Sequence, residues 1–399
     1  MYNIAWLPGD GIGIEVLEAA RIVLDKLDLK ADYTIGDIGW EFWRTEGDAL
    51  PQRTIDLLRS SDAAMFGAIT SKPAKAAEAE LAPELRGKNR VYRSPIVRMR
   101  QILDLFVCLR PCKAYPGNPL NVSDEIDIVV FRENTEDLYA AVEFSPVPDK
   151  LAATLAEFSI NYAPFKNLQG DQYAISCKIN TRRGCERISR AAFEYAHRNG
   201  RSKVTIVHKA NVVRFTDGLF LETAREMGKD YADISVDDAN IDAMCMWLLK
   251  NPLSYDVLLA PNLYGDIVSD LCAQMVGGLG FGCSGNIGRD MAVFEPTHGS
   301  APKYAGQNKV NPIATILAAR MMLEYLGEED KAQDVETAVA AVIAEGNVRT
   351  YDMGGTATTI EMAQAIADKL TPRRSTLRAM VDAPIDELYD ATDEGGEGE

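Results

Sequence analysis

The sequence lacks the segments that would carry a protein into or across a membrane. Across its 399 residues, no apolar run approaches the ~20 residues that a membrane-spanning helix needs. Residues 1–7 also lack the basic flank and the long apolar stretch of a secretory signal peptide. We therefore expect a soluble, cytoplasmic protein.

The sequence also lacks a pattern of paired cysteines, and its basic residues are outnumbered by its acidic ones. The seven cysteines are irregularly spaced, with neither a disulfide framework nor a close CxxC metal-binding pattern, so we expect reduced and mostly packed thiols. The formal net charge is −17, which repels the phosphates of nucleic acids and anionic membrane surfaces. We therefore expect no nucleic-acid partner and no membrane partner.

What the sequence does contain is the composition of a globular protein, with 47% hydrophobic and 25% charged residues. Because single hydrophobic cores stop growing near ~250–300 residues, this length predicts two lobes. Residues 391–399 are small and acidic and have no apolar anchor, which predicts a flexible acidic tail.

Short β-branched or apolar runs alternate with amphipathic segments along the chain. The predicted strands are residues 2–7, 63–68, 126–131, 203–207 and 257–260. The predicted helices, whose apolar residues recur at helical spacing, are residues 14–27, 188–197, 218–227 and 313–325. Strands alternating with helices predict an α/β protein whose sheet is covered on both faces.

Two segments interrupt this alternation. Residues 71–92 are rich in Ala, Glu, Lys and Pro and have few large apolar side chains, which predicts an exposed, partly helical loop. Residues 145–179 contain scattered Pro and Gly, and their last part, 171–179, alternates as an antiparallel strand would. We expect this second segment to reach beyond its own subunit.

A glycine-rich turn, LPGDGIGIE at residues 7–15, joins the first predicted strand to the first helix. Backbone N–H groups in such a turn can cradle a phosphate, but the third glycine of the dinucleotide-binding motif is missing. A tight structural turn and a pyrophosphate site are both open interpretations.

Basic residues are concentrated in residues 86–113, where eight of them accompany a single acid, Asp104. In so acidic a chain this reversal indicates a pocket for a small polyanion, because guanidinium groups bind carboxylates in a bidentate manner. A solvated basic face is the alternative interpretation.

Two predicted strands are followed by side chains that can do chemistry. Arg132 directly follows the run 126–131, and Tyr139 comes seven residues later; arginine can hold a carboxylate and tyrosine can donate a proton. Lys209 follows the run 203–207, where burial could depress its pKa and make it a general base. Each feature taken alone is more often structural.

An acidic stretch at residues 237–242 is accompanied by Asp266 and Asp270, which are four residues apart. On a helix this pair shares one face, where like charges are destabilising unless they are neutralised. Mg²⁺ or Mn²⁺ would neutralise them, since both ions take carboxylate oxygens. Flanking apolar residues argue against the alternative, an exposed acidic face.

A glycine-containing loop, FEPTHGSAPKYAG at residues 294–306, precedes Val310, Asn311 and a predicted helix. Its His, Lys and Tyr side chains suit an adenine nucleotide.

Taken in order, these motifs resemble the β-decarboxylating dehydrogenases, the family of isocitrate, homoisocitrate and 3-isopropylmalate dehydrogenases. The resemblance runs from the glycine turn to about residue 370. It implies the α/β fold of that family, which is not a true Rossmann fold and is built from two lobes and a dimer clasp. The implied large lobe comprises residues 1–105 and 277–390, the small lobe residues 106–142 and 180–276, and the clasp residues 143–179.

The resemblance also implies a role for particular residues of this sequence. Substrate carboxylates would be bound by Ser94, Arg100, Arg110 and Arg132. Tyr139 would serve the proton step after decarboxylation, and Lys209 would be the catalytic lysine. The metal would be held by Asp242, Asp266 and Asp270, with Lys209 and Asp242 supplied by the other subunit of a homodimer. The cofactor would be bound by Thr70, His298, Gly299, Lys303, Tyr304, Val310, Asn311 and Tyr351.

The implied reaction is metal-dependent oxidative decarboxylation of isocitrate to 2-oxoglutarate. Ser94 matches the isocitrate dehydrogenases, whereas Ile96 within SPIV is more similar to the homoisocitrate dehydrogenases. The basic Arg93 and Arg98 would be wasted on the apolar tail of 3-isopropylmalate. Isocitrate is thus the first expectation, homoisocitrate the close alternative and 3-isopropylmalate the distant one.

For the cofactor, Lys303, Tyr304 and Val310 are similar to the NADP-using isocitrate dehydrogenases, because a cation beside the 2′-phosphate is what NADP requires. Gly355 falls where such enzymes often have arginine, so NAD stays open.

A rival hypothesis from a different class is a non-catalytic regulatory subunit of the same family. Such relatives tend to lose the catalytic tyrosine, the lysine or an aspartate. This sequence keeps all five groups, namely Tyr139, Lys209, Asp242, Asp266 and Asp270.

Overall fold

The computed structural model describes residues 1–88 and 90–370, so the predicted tail lies outside the described residues. The strands are β1 (Tyr2–Gly9), β2 (Ala31–Ile35), β3 (Ala63–Ala68), β4 (Val107–Lys113), β5 (Asp127–Glu133), β6 (Glu143–Phe144), β7 (Ile175–Ser176), β8 (Lys203–His208), β9 (Ser235–Asn240), β10 (Val257–Ala260), β11 (Cys283–Ile287) and β12 (Ala292–Pro296). The helices are α1 (Gly13–Asp25), α2 (Trp40–Glu46), α3 (Gln52–Arg59), α4 (Ala74–Ala79), α5 (Pro95–Ile102), α6 (Asp149–Phe158), α7 (Arg182–Arg198), α8 (Thr216–Gly228), α9 (Ile241–Lys250), α10 (Asn262–Met275), α11 (Ile313–Tyr325), α12 (Glu329–Glu345) and α13 (Thr359–Lys369).

One ten-stranded sheet runs through the structure in the order β2-β1-β3-β12-β11-β4-β5-β10-β8-β9. Its pairings are parallel at both ends, whereas the pairings β12–β11, β11–β4 and β4–β5 in the middle are antiparallel. Strands of the predicted large lobe fill one end and those of the predicted small lobe the other, with the boundary between β11 and β4. The lobe boundaries themselves stay a prediction, because the sheet is continuous.

Helices cover both faces of this sheet, as the alternation of strands and helices predicts. Along β1, Ile4 and Trp6 enter one hydrophobic core while Ala5 and Leu7 enter another. Along β10, Val257 and Leu259 belong to one core and Leu258 and Ala260 to another. Successive side chains of a strand point to opposite faces of the sheet. Each strand therefore contributes to one core on each face, and the four cores are divided between the two faces. The α/β class is confirmed.

Most predicted elements are confirmed, with boundaries shifted by a few residues. One prediction needs correction. The strand predicted at 171–179 is two residues long, since Ile175–Ser176 pairs antiparallel with Glu143–Phe144. The segment 71–92 is mostly exposed and contains the helix α4, as the prediction of an exposed, partly helical loop has it.

Two residues of the segment 71–92 are buried. Ala77 and Leu81 pack in a small core with Trp40 and Trp43. The Tyr92 hydroxyl donates to the carbonyl of Thr70 at 2.9 Å and closes the segment at its other end. The two tryptophans come from α2, so the sequence of the segment alone did not reveal this anchoring contact.

The glycine-rich turn after β1 is a structural turn. A Cβ on Gly9 would lie 1.9 Å from the Ala68 carbonyl oxygen, and one on Gly11 would lie 2.1 Å from that of Ser300. The N–H groups of Asp10 and Ile12 donate to the same two carbonyls. Because these two donors are already engaged, the turn does not offer them to a phosphate, which favours the structural interpretation.

All seven cysteines are unpaired and five of them are buried, as expected for packed thiols. Within residues 1–88 and 90–370, no helix combines the length and apolar character needed to cross a bilayer.

Gly265 allows α10 to pack directly on β5. This close packing fixes the positions of Asp266 and Asp270, which follow Gly265 on the same helix. A Cβ at this position would lie 2.6 Å from both Cβ and Cγ of Arg132. We expect Gly265→Ala to lower the free energy of unfolding by about 1–3 kcal/mol, the usual cost of overpacking.

Gly218→Ala is the matched control, since Gly218 is also helical and nothing lies within 4 Å of its added Cβ. That change should leave stability unchanged or raise it by up to about 1 kcal/mol, as alanine is the better helix former. Equal urea-unfolding free energies for the two variants would contradict the close packing of α10 on β5.

Candidate active site

Three arginines converge beside the antiparallel centre of the sheet. Arg110 lies on β4, Arg132 on β5 and Arg100 on α5, and all three are buried, with 6%, 1% and 6% of their surface exposed. Cys108 pairs with Arg132 across β4 and β5, so Arg110, two residues farther along, lies on the same sheet face as Arg132. Three buried positive charges in one place need acceptors around them.

The first turns of α10 supply the acidic acceptors. Asp266 pairs with Arg132, and Arg110 lies 3.3 Å from a carboxylate oxygen of both Asp266 and Asp270. The Tyr139 hydroxyl donates to Asp266 Oδ2 at 2.5 Å. Asp266 is therefore contacted by two of the three arginines and by the tyrosine. The structure thus brings these five predicted site residues together.

Uncharged and acidic neighbours hold the arginines in place. Asn262 Oδ1 accepts from Arg132 Nε and Nη2 at 3.0 and 2.8 Å. Asn286 Oδ1 accepts from Arg100 Nε at 2.9 Å, and Glu295 Oε1 accepts from Arg100 Nη2 at 3.1 Å. These three acceptors were not predicted from the sequence. Their signal is weak, because the three residues lie in separate segments of the chain and only the fold brings them together.

The electrostatics of the cluster separate the two aspartates. Burial alone would raise the pKa of Asp266, but the charges of Arg132 and Arg110 and the Tyr139 hydrogen bond outweigh it and lower that pKa. Burial, only partly offset by Arg110 and reinforced by Asp266, raises the pKa of Asp270. Burial and the neighbouring arginines lower the pKa of Arg132. The arginines thus repel one another and favour a bound anion.

A cavity of about 200 Å³ opens beside this cluster. Its lining includes Ser94, Ile96, Arg100, Arg110, Glu295, His298 and Gly299. The predicted substrate residues Ser94, Arg100 and Arg110 therefore face one space. Arg93 and Arg98 do not line it; they line a separate cavity of about 300 Å³, where Arg98 pairs with Asp48. The sequence argument that these two arginines bear on substrate choice loses its support.

Lys209 and Asp242 form an ion pair with each other at the end of β8 and the start of α9. Among the described residues, no three acidic, histidine or cysteine side chains are grouped closely enough to hold a metal ion. A single chain therefore does not assemble Asp242 with Asp266 and Asp270. The proposal that Lys209 and Asp242 serve the neighbouring subunit stays a prediction.

A second cavity, of about 470 Å³, gathers most of the predicted cofactor residues. Its lining includes Ile12, His298, Tyr304, Val310, Asn311 and Tyr351. His298 lines both cavities, burial lowers its pKa, and its buried Nε2 has no hydrogen-bond partner among the described residues. A neutral imidazole nitrogen without a partner is available to a ligand.

The remaining predicted cofactor residues border these cavities. Thr70 Oγ1 lies 2.7 Å from Ser300 Oγ, and Lys303 Nζ lies 4.7 Å from the ring centroid of Tyr304. Lys309, which the sequence analysis missed, has its Nζ 5.1 Å from the ring centroid of Tyr351. The rings of Tyr304 and Tyr351 are 5.6 Å apart, so two lysines flank one pair of tyrosines. Lys309 has no distinctive signal in the sequence.

Comparisons with known proteins identify relatives of this chain. The sequence profile described as isocitrate/isopropylmalate dehydrogenase matches residues 3–366. The 3-isopropylmalate dehydrogenase of Archaeoglobus fulgidus is 42% identical over 93% of this chain and 100% of its own length. The isocitrate/homoisocitrate dehydrogenase of Thermus thermophilus is 39% identical over 92% of this chain and 98% of its own length.

Two further matches concern chain length and fold. Protein DlpA of Legionella pneumophila is 41% identical over 92% of this chain, which spans 58% of that protein's length. The crystal structure of isocitrate dehydrogenase from Methylococcus capsulatus is 37% identical with a TM-score of 0.81, covering 93% of this chain and 99% of that one. The fold expected from the sequence motifs is therefore confirmed.

The arginine cluster predicts stabilisation by a small tricarboxylate such as citrate. A ligand that binds only the folded state stabilises it by about 2.7 kcal/mol at 100 times its Kd. We expect citrate to raise the thermal unfolding midpoint of the wild type, measured by calorimetry, and to raise that of Arg110→Gln much less. Arg21→Gln, on the exposed face of α1, should respond like the wild type. Equal shifts in Arg110→Gln and the wild type would argue against this cluster as the anion site.

Proposed function

The chain belongs to the isocitrate/isopropylmalate dehydrogenase family of β-decarboxylating dehydrogenases, and within it we propose that this protein oxidises and decarboxylates isocitrate to 2-oxoglutarate with reduction of NADP. Members of this family act on small hydroxy acids and use NAD(P) and a divalent metal. The observation that carries the proposal is the convergence of Arg100, Arg110 and Arg132 with Asp266 and Tyr139 beside one cavity. The regulatory-subunit hypothesis would be supported by the loss of a catalytic or metal-binding residue, and this sequence has lost none of the five.

The residues present fit a divalent metal. Asp266 and Asp270 offer carboxylate oxygens one helical turn apart, and Mg²⁺ is commonly held by one or two carboxylates together with substrate. Asp242 of the partner subunit would complete the set. Bound Mg²⁺ or Mn²⁺ would supply Lewis-acid polarisation of the oxygen on C2 of the substrate.

The arginines would bind and orient the substrate. In the structure Arg110 and Arg132 are paired with aspartates of their own chain, so their guanidinium groups are already held in place. Substrate carboxylates would take over these groups, and the bidentate geometry of arginine would fix which carboxylate faces which side. Orientation of this kind is a large part of rate enhancement in two-reactant steps.

Lys209 and Tyr139 would handle the protons. Lys209 of the partner subunit would accept the proton of the C2 hydroxyl while hydride passes to the nicotinamide. Burial raises the pKa of Tyr139 despite the opposing charge of Arg132, so its hydroxyl is protonated and can donate. After carbon dioxide leaves, that hydroxyl would deliver a proton to C3.

The shared site requires a dimer, and the clasp segment 143–179 has the surface for one. Phe158 and Ile160 are 79% and 90% exposed in the single chain. Large apolar side chains with this much exposed surface are typical of an interaction surface. We propose a homodimer in which each clasp contacts the other subunit.

A second candidate, homoisocitrate, is favoured by one observation. Ile96 and Ile69 line the substrate cavity beside Ser94, and no third arginine joins Arg100 and Arg110 in that lining. An apolar wall accommodates the extra methylene of homoisocitrate, while Ser94 can still donate to the distal carboxylate. The Thermus thermophilus relative is named for both substrates.

Initial rates of NADP and NAD reduction with Mg²⁺ or Mn²⁺ test the proposal directly. We expect isocitrate to give the highest kcat/KM among isocitrate, homoisocitrate and 3-isopropylmalate. In an apolar pocket, one extra or missing methylene group usually changes kcat/KM by about 10- to 200-fold. A difference of that size between isocitrate and homoisocitrate is measurable. A higher value for homoisocitrate would transfer the assignment to that substrate. Absence of rate with all three would contradict the proposed reaction.

The two lysines beside Tyr304 and Tyr351 predict the cofactor preference. Replacing either one, as Lys303→Gln or Lys309→Gln, should raise KM for NADP by about 10-fold or more. A hydrogen bond to a charged group contributes about 1.5–3 kcal/mol, and NADP alone carries the 2′-phosphate. KM for NAD should change little.

Lys26→Gln, just after α1, is the matched control and should leave both KM values unchanged. Equal effects on NADP and NAD in the two loop variants would show that these lysines do not bind the 2′-phosphate.

A further inference from the structure

Lys178, near the end of the clasp, carries an enclosed ammonium group outside the site described above. Its side chain is 13% exposed, and Nζ lies 2.5 Å from Asp217 Oδ1 and 3.7 Å from Asp137 Oδ1. The same Nζ lies 4.2 Å from the ring centroid of Tyr264. A charge buried between two carboxylates contributes only if its geometry is well fixed, and removing it leaves the partners uncompensated.

The first of these carboxylates holds the backbone of Lys209. Asp217 lies in the first turn of α8 and is completely buried. Its Oδ2 accepts the N–H of Lys209 at 2.7 Å, while its Oδ1 faces Lys178. The ammonium of Lys178 therefore fixes the carboxylate that fixes Lys209.

The second carboxylate holds the turn that presents Tyr139. Asp137 Oδ1 accepts the N–H of Leu138 at 2.7 Å, and Oδ2 accepts the N–H of Leu263 at 3.1 Å. One aspartate thus joins the turn of Tyr139 to the start of α10. Its φ is 68°, which L-residues rarely adopt, so this conformation depends on the contacts around it.

Lys178 is not needed to hold the two ends of the clasp together. The Asp137 N–H donates to the Ile179 carbonyl at 2.7 Å, and the Cys177 N–H donates to the Val142 carbonyl at 2.9 Å. These backbone hydrogen bonds already join the outgoing and returning strands of the clasp. The ammonium group adds a connection to the two catalytic positions instead.

We propose that Lys178 is a positioning residue that sets Lys209 and Tyr139 together and thereby couples the two active sites of the dimer. This inference rests on the proposed function, in which Tyr139 acts in its own subunit and Lys209 in the partner's site. One ammonium then supports one proton-transfer residue in each of two sites.

Homodimeric variants test the positioning role. We expect Lys178→Met to lower kcat by roughly 10- to 100-fold, the scale of a small misplacement, with little change in the KM for substrate. Lys178→Arg should recover much of kcat, because a guanidinium can pair with both carboxylates. Lys331→Met, which removes a half-buried ion pair with Glu328 far from the site, should keep the wild-type kcat.

Thermal midpoints and sedimentation separate this effect from unfolding or dissociation. A folded, dimeric Lys178→Met with the wild-type kcat overturns the proposal. If the Met variant does not fold, Lys178→Gln replaces it, since its amide can still donate to Asp217 but carries no charge. A folded, dimeric Lys178→Gln with the wild-type kcat likewise overturns it.

Differently tagged hybrid dimers test the coupling. A wild-type/Tyr139→Phe hybrid loses one site and should keep about half of the wild-type kcat. A wild-type/Lys178→Met hybrid should fall clearly below half, because its single altered subunit disturbs Tyr139 in one site and Lys209 in the other. A value of half or more, with the Lys178→Met homodimer impaired, overturns the coupling.

A hybrid of Lys209→Met with Tyr139→Phe isolates the underlying assumption. If Lys209 acts across the dimer, this hybrid has one complete site and is active although both parent homodimers are inactive. An inactive hybrid would refute the shared site of the proposed function, whatever the result for Lys178.

Discussion

The candidate site depends on how three buried guanidinium groups are neutralised. Arg110 and Arg132 both contact Asp266, and the Tyr139 hydroxyl donates to the same carboxylate. Removing one partner of such a buried pair typically costs about 3–5 kcal/mol, because the remaining charge is left without compensation. Asp266 therefore stabilises the arginine cluster and, in the proposed reaction, would also become a metal ligand. In that proposal, the guanidinium groups are already held in place before substrate carboxylates bind.

The fold makes this arrangement possible by bringing distant segments of the chain together. The arginines Arg110 and Arg132 come from the antiparallel pair β4–β5, and Asp266 comes from α10, which packs closely on β5 at Gly265. Because β11 and β4 lie between the two parallel ends of the sheet, the site forms where the two halves meet. A motion that separates these halves would also separate Arg100 and Glu295 from the residues of β4 and β5.

Sequence patterns predicted the elements well and the contacts less well. The alternation of strands and helices gave the class, because periodicity is a local property. The contact between Arg132 and Asp266 joins residues 134 positions apart. The family resemblance implied that both residues belong to one site, but it did not predict their ion pair. Arg93 and Arg98 were misassigned because a basic run does not reveal which cavity each side chain faces. Lys309 was missed because an isolated lysine beside Val310 has no distinctive pattern.

The shared site proposed for the dimer could be inferred from the sequence only through the family resemblance. Phe158 and Ile160 are large apolar side chains that are mostly exposed, and Lys209 forms its ion pair with Asp242. In the proposed dimer, a chain that contributes residues to each of two sites must also keep those residues in register. Buried charge is suited to this task, since a short ion pair restricts direction and distance more than apolar packing does. In that proposal, Lys178 occupies the position where such a constraint acts on residues of both sites at once.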